Sequence, residues 1–405
     1  MLSVGSRGLC DIHQMNPSIL LPIALMLTGA KLLGELCERY LKQPAVLAEI
    51  VIGVILGKSV LGWVDGSNVI LQQIAEIGAV LLLFEVGLES DIFELFRVGK
   101  QALWVATIGV ILPFFAGYEV AKALGNQPIQ SIFVGAALTA TSVGITARVF
   151  SDISALQTIE AKIVLGAAVA DDVIGLIVLA AVSGLASAQF SWAAVEKTST
   201  LAILFLVGAI LIGLRATPLL LRWARAMRTR AAISSAAIVL CLLASTLAEA
   251  VKLAPIVGAF AAGVVLTKTE EKIRFEEKIR SVADVFIPLF FVMMGARMDL
   301  SSLGPNSMTL ALLLLLVAIV GKVIAGLSVP GKGLGRWVVG VGMIPRGEVG
   351  LIFASIGQSR GIIGPSLYAS IVFVVIATTF ITPPLLKIVT LRFEQSSLAG
   401  TLQEE

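Results

Sequence analysis

IVLGAAVADDVIGLIVLAAV, residues 163–182, is an apolar run with two adjacent aspartates, Asp171 and Asp172, at its middle and no Lys or Arg inside it. As a helix, a run of this length crosses the hydrocarbon core of a bilayer. Ionisable groups at such depth are costly and by default mark a path for ions or protons. Consecutive residues point about 100° apart around a helix, so the two carboxylates meet different neighbours. One can contact a cation in a cavity while the other contacts an adjacent helix. Closeness and burial both disfavour two negative charges at once, and the two groups titrate as a coupled pair. A carboxylate that exchanges its proton readily can trade it for a metal cation.

The rest of the chain agrees with a membrane setting. Of its 405 residues 57% are hydrophobic and 14% charged, where soluble domains carry about 25% charged residues. The net charge is only +3, and the basic residues sit in short clusters between apolar runs, which argues against nucleic acid as a partner. Cys10, Cys37 and Cys241 are widely spaced and odd in number, so no disulfide or metal framework is expected. His13 reads as an incidental surface residue, and residues 1–16 lack the apolar core of a signal peptide.

Apolar segments of helical length fall at 17–41, 45–61, 69–89, 100–124, 129–150, 156–186, 192–216, 231–251, 254–267, 273–298, 308–329, 334–360 and 365–390. They predict about thirteen transmembrane helices, the short 45–61 and 254–267 being tilted, broken or re-entrant. With the N-terminus outside, the inner loops collect most Lys and Arg, including Arg222, Arg225, Lys268, Lys272, Arg274 and Arg280. The outer loops keep only Arg7, Lys58, Lys197, Lys252, Arg297 and Arg360. This is the positive-inside pattern, with the C-terminus inside. The short loops fit a prokaryotic cell membrane or an organellar one.

An internal repeat is visible. IAEIGAVLLLFEVGLESDI (74–92) aligns without a gap to VADVFIPLFFVMMGARMDL (282–300), an offset of 208 that matches Glu76 with Asp284 and Gly87 with Gly295. LAEIVIGVILG (47–57) resembles LAPIVGAFAAG (253–263) at an offset of 206, and SVGI (142–145) resembles EVGL (348–351). Six spans, one linker helix and six more spans start corresponding helices on opposite sides. The expected fold is therefore an all-α polytopic protein of two inverted six-helix repeats joined by a linker helix, an arrangement common among secondary transporters.

Two repeat-related stretches look interrupted. GAALTATSVGITARVF (135–150) crowds Thr139, Thr141, Ser142 and Thr146 around Gly144, and GVGMIPRGEVGLIF (340–353) carries Gly342, Pro345, Gly347 and Gly350. Such breaks release carbonyls that can face an ion in a cavity rather than lipid, and paired breaks point to a midplane ion site. Lys322 lies deep in LALLLLLVAIVGKVIAGLSV (310–329), where a lysine requires a carboxylate partner. Arg346 and Glu348 add charge to the second break and are expected to pair with groups near Arg148 or Glu160. Glu85 either lines the inner entrance or faces lipid headgroups.

AVADDVIGL (168–176), TATSVGITARVF (139–150), GKVIAG (321–326), PRGEVGLI (345–352) and LLLFEVGLES (81–90), in that order of the family's marks, resemble the monovalent cation:proton antiporter family, in particular its sodium/proton branch. The likeness runs from about residue 17 to 390. It implies an elevator-type antiporter, a homodimer, whose core carries crossed, broken helices past a dimer-forming scaffold. It assigns cation binding, Na+ by this branch, to Asp172, with Thr141 and Ser142 as oxygen donors, and pairs Asp171 with Lys322. The Asp-Asp motif implies electrogenic exchange of two protons per sodium, with no cofactor beyond the transported ions. The implied layout places the scaffold at 1–99 and 227–304, the core at 100–190 and 305–392, a linker helix at 191–226 and a short tail at 393–405. K+/H+ exchange is the nearest alternative and a cation channel a remote one. An intramembrane aspartyl protease needs its two carboxylates facing each other from separate helices, which consecutive residues do not offer.

Overall fold

The structure, a computed structural model, describes residues 19–89, 92–186, 192–227, 232–267, 272–297, 305–331 and 333–404. Every regular element among them is helical. The chain runs through α1 (Leu20–Leu36, extended by a π-helical turn at Cys37–Leu41), α2 (Ala45–Leu56), α3 (Val69–Glu89), α4 (Ile92–Ala123), α5 (Pro128–Ala137), α6 (Val143–Asp152) and α7 (Ile159–Ala186). After α8 (Trp192–Ala226) come α9 (Ala232–Ala250), α10 (Pro255–Leu266), α11 (Lys272–Ala296), α12 (Pro305–Leu327), α13 (Arg336–Gly342), α14 (Glu348–Ser359) and α15 (Pro365–Glu404).

Among the described residues eight helices are long and apolar enough to cross a membrane, against about thirteen transmembrane helices expected. Local chemistry accounts for much of the difference. The segment 129–150 is two half-helices, α5 and α6, and 334–360 is likewise split into α13 and α14. α2 and α10 have only 12 residues each, the first following Pro44 and the second opening on Pro255, a residue suited to a helix's first turn. Gln127 and Gln130 close a capping box that starts α5.

Two boundaries differ from the sequence reading. α4 begins at Ile92 rather than near 100, because its first turns (IFELFRVGK) mix charged with apolar residues and so hide from a search for apolar runs. The predicted boundary at 99/100 consequently cuts a helix. Residues 393–404 are not a separate tail but continue α15 to Glu404, no proline interrupting the helix beyond Pro384.

The helices pack in two sets. In one, α2, α3, α10 and α11 cross one another, with α1 and α9 alongside; in the other, α4, α7, α12 and α15 surround the two broken helices, α5–α6 and α13–α14. The crossings of the first set are reciprocal. A Cβ on Gly87 of α3 would meet Phe260 O, Gly263 Cα and Val264 N of α10; one on Gly295 of α11 would meet Ile50 O, Gly53 Cα and Val54 N of α2. The same three backbone atoms recur with α2 and α10 related by an offset of 210, one helical turn from the 206 read in sequence. Only glycine permits this approach: a Cβ on Gly53 would lie 2.0 Å from Val292 O. Gly53→Ala is therefore expected to destabilise the protein by about 1–3 kcal/mol, measured as a lower melting temperature of the purified protein in detergent.

Candidate ion-binding site

The two breaks, Leu138–Ser142 and Met343–Gly347, meet inside the second helix set. The Ser142 N–H donates to Pro345 O at 2.8 Å. Thr146 Oγ1 donates to Gly342 O at 2.7 Å, and Thr141 Oγ1 lies 3.3 Å from Met343 O. Gly347 lies so close to Ser142 that any Cβ there would sit 2.9 Å from the serine Oγ. The short polar side chains singled out in sequence thus tie one break to the other. They satisfy backbone groups that a broken helix leaves without partners.

Arg346 is fully buried and sits at this junction. Its Nη1 donates to Thr139 O at 3.0 Å and Ala140 O at 2.8 Å, just past the C-terminal end of α5, and its Nη2 to Ala318 O at 3.4 Å. A cation there complements the negative end of the half-helix. This corrects the expectation of partners near Arg148 or Glu160. Arg148 instead pairs with Asp152 at 2.9 Å and lies 3.7 Å from Glu49, while Glu160 accepts the Gly335 N–H at 2.8 Å. The backbone of Arg346 is held from α15: its N–H donates to Thr378 Oγ1, and its carbonyl accepts from Thr379 Oγ1. Sequence reasoning missed these threonines, although ATTFIT (377–382) is a conspicuous polar patch in an apolar helix.

α7 passes beside the breaks with its two aspartates turned to different neighbours. Asp171 is fully buried, and its Oδ2 accepts from Lys322 Nζ at 2.7 Å and from Thr141 Oγ1 at 2.8 Å. Lys322 is equally buried and reaches this position past Gly109 of α4, where a Cβ would stand 3.1 Å from its Nζ. The lysine thus finds the carboxylate that its depth requires.

Asp172 is 6% exposed and lies on the wall of a cavity of about 920 Å³. Gly175, Gly347, Val349, Phe290 and Met294 share that wall, and the exposed Gln73, Glu76, Lys252 and Arg297 line it nearer the surface. The cavity opens at the end of the molecule formed by the start of α3, the α9–α10 turn and the α14–α15 turn. Toward the opposite end, Leu82 and Phe290 pack against α6 at Gly144, and the Glu49–Arg148–Asp152 contacts close α6 onto α2. Glu85 is half-buried at that closed end and pairs with Arg280 at 3.0 Å, rather than facing headgroups unpartnered.

Of the predicted site residues, Asp171, Lys322 and Thr141 form one bonded cluster; Asp172 faces the cavity; and Ser142 lies behind Gly347. Glu85 stands apart. The side chain of Glu348 is outside the described residues, although its backbone opens α14.

Comparison with known proteins places this geometry. A family model described as "Sodium/hydrogen exchanger, transmembrane" matches residues 24–392. The high-affinity Na+/H+ antiporter NhaS3 of Synechocystis sp. is 40% identical, the match covering 92% of this chain and 89% of that protein. The Na+/H+-K+ antiporter GerN of Bacillus cereus is 37% identical over 90% of this chain and 94% of its own length. The solved structure of the sodium proton antiporter MjNhaP1 from Methanocaldococcus jannaschii shares the fold, with a TM-score of 0.63 at 18% identity over 94% of this chain and 97% of that one. The chain is an integral, multi-pass membrane protein and belongs to the sodium/hydrogen exchanger family of monovalent cation:proton antiporters.

Proposed function

We propose that this protein exchanges Na+, with Li+ as a further substrate, for H+ across a membrane. The observation that carries this reading is Asp172, a nearly buried carboxylate on the wall of a water-accessible cavity, beside two joined helix breaks and next to the bonded Asp171–Lys322 pair. A carboxylate so placed binds either a proton or a cation, and competition between the two for one site is the basis of exchange. Thr141 and Ser142 supply further oxygen close by, and Asp171 releases Lys322 as protons leave. The reading includes two protons per sodium, hence electrogenic exchange, and needs no cofactor.

The proposed architecture counts each broken helix as one crossing, which brings α1 to α15 to thirteen crossings in two inverted six-helix repeats around the linker α8. The reciprocal glycine contacts support it. α1 to α3 and α9 to α11 form the scaffold, α4 to α7 and α12 to α15 the moving core, and α8 links the two halves, in an elevator-type cycle within a homodimer. The Lys and Arg distribution places the N-terminus outside and the C-terminus inside, in a prokaryotic cell membrane or an organellar one. The open cavity then faces outward.

K+/H+ exchange is the second reading, favoured by the likeness to an antiporter whose name includes K+. Proteoliposomes carrying an internal pH dye, pulsed with Na+, Li+ or K+ with and without an imposed potential, test all of this. Proton movement driven by Na+ and accelerated by the potential is the expected result. Response to K+ alone selects the second reading, and single-channel currents that need no proton gradient overturn antiport.

A further inference from the structure

The offset of 208 that relates α3 to α11 pairs Gly78 with Phe286, and these two residues touch: a Cβ on Gly78 would lie 2.2 Å from Phe286 O. A residue in contact with its own repeat counterpart lies on the axis relating the two halves. Two positions along each helix from this contact stand Glu76 and Asp284, also counterparts at 208. In the proposed topology α3 runs inward and α11 outward, so the two carboxylates fall on opposite sides of the crossing.

Glu76 lies on the stripe of α3 that faces the cavity, with Gln72, Gln73 and Ala79. Among the described residues, Glu76 and Asp172 are the acidic groups lining the cavity, one on the scaffold wall and one on the core wall; Lys252 and Arg297 are the basic ones. Counting Asp172, these four charges sum to zero; without Glu76 they would sum to +1, less favourable to an incoming cation. Asp284 is exposed at the closed end and near enough to Arg148 of α6 to interact with it electrostatically. It therefore stands beside the element that seals that end, where an opening on this side would form.

We propose that Glu76 and Asp284 are a repeat-related pair of cation-recruiting positions, each serving one mouth of the transporter: Glu76 the mouth that is open in this structure and Asp284 the opposite one. The inference rests on the antiport reading and adds a specific asymmetry to it. A carboxylate at one mouth raises the local cation concentration there and acts far less on the other mouth, across the closed packing and through screening salt.

The test uses right-side-out and everted membrane vesicles from cells expressing the full chain, with the half-saturating Na+ (or K+) concentration and the maximal rate measured at each face. At low ionic strength Glu76→Gln is expected to raise half-saturation about three- to tenfold at one face only, with a small change in maximal rate. Asp284→Asn should do the same at the other face alone. Both effects should shrink as a non-transported salt is added, and Glu76→Asp and Asp284→Glu should restore them. Equal changes at both faces, or none at either, in vesicles whose wild-type protein is active overturn this inference alone. Wild-type vesicles inert to Na+, Li+ and K+ overturn it together with the antiport reading.

Discussion

Asp172→Asn is expected to abolish cation-driven proton movement while leaving the protein folded. The amide has the size and shape of the carboxylate, so the α7 packing around it, with Asp172 at 6% exposure, is preserved. Two properties are lost together. The amide does not titrate at neutral pH, so one side of the exchange disappears outright. It also carries no charge: a carboxylate–cation contact at about 4 Å is worth about 4 kcal/mol at an effective dielectric of about 20, close to a thousandfold in binding. The measurement is Na+-induced recovery of an internal pH dye in proteoliposomes, beside a thermal melt of the same preparation. A wild-type rate from the mutant would remove Asp172 from the site. An inactive mutant with a collapsed melting temperature would show a folding role instead.

Lys322→Ala is expected to have the largest effect on stability. The ammonium is the basic group bonded to Asp171, and both side chains are fully buried. Its removal leaves Asp171 with the Thr141 hydroxyl as its remaining bonded donor. The carboxylate must then take up a proton or remain an unpaired buried charge, and breaking such a pair from one side costs about 3–5 kcal/mol. The melting temperature should fall accordingly. The double mutant Asp171→Asn/Lys322→Met, which removes both charges, should recover most of that loss. Transport by the single mutant should also respond less to an imposed potential. Unchanged melting and unchanged voltage response together would take Lys322 out of the mechanism.

The parts of this site that could be read from sequence are those in which one residue alone breaks a strong rule. Two aspartates or one lysine within an apolar span demand partners, so an intramembrane carboxylate for Lys322 was foreseeable from the residues, and the family resemblance singled out Asp171. Pro345 and Gly347 announced a break, and the hydroxyls of 139–146 announced the break that meets it. The partners of Arg346 were not legible, because its acceptors are backbone carbonyls at residues 139, 140 and 318, and every residue has a carbonyl. The register of α2 against α10 was misread by one turn for a related reason: small-residue helices repeat so little information that a shift of four preserves most of the likeness. The early start of α4 escaped because a helix leaving the bilayer need not stay apolar. The cavity beside Asp172 is built by α3, α7, α10, α11, α14 and α15 together, and no local pattern encodes such a convergence.

Packed helices slide past one another because side chains form a compliant layer between them, changing rotamer as ridge passes ridge. At the Gly53–Gly295 and Gly87–Gly263 crossings that layer is missing, and main chain rests on main chain. α2 cannot slip along α11 there, nor α3 along α10, without driving carbonyl oxygens into the facing backbone. Any slippage between the two helix sets has to follow the surfaces that retain the compliant layer, where α6 lies against α2 and α3 and α15 against α2. The missing side chains thus draw the fault line of the molecule, and the cavity that reaches Asp172 opens along it.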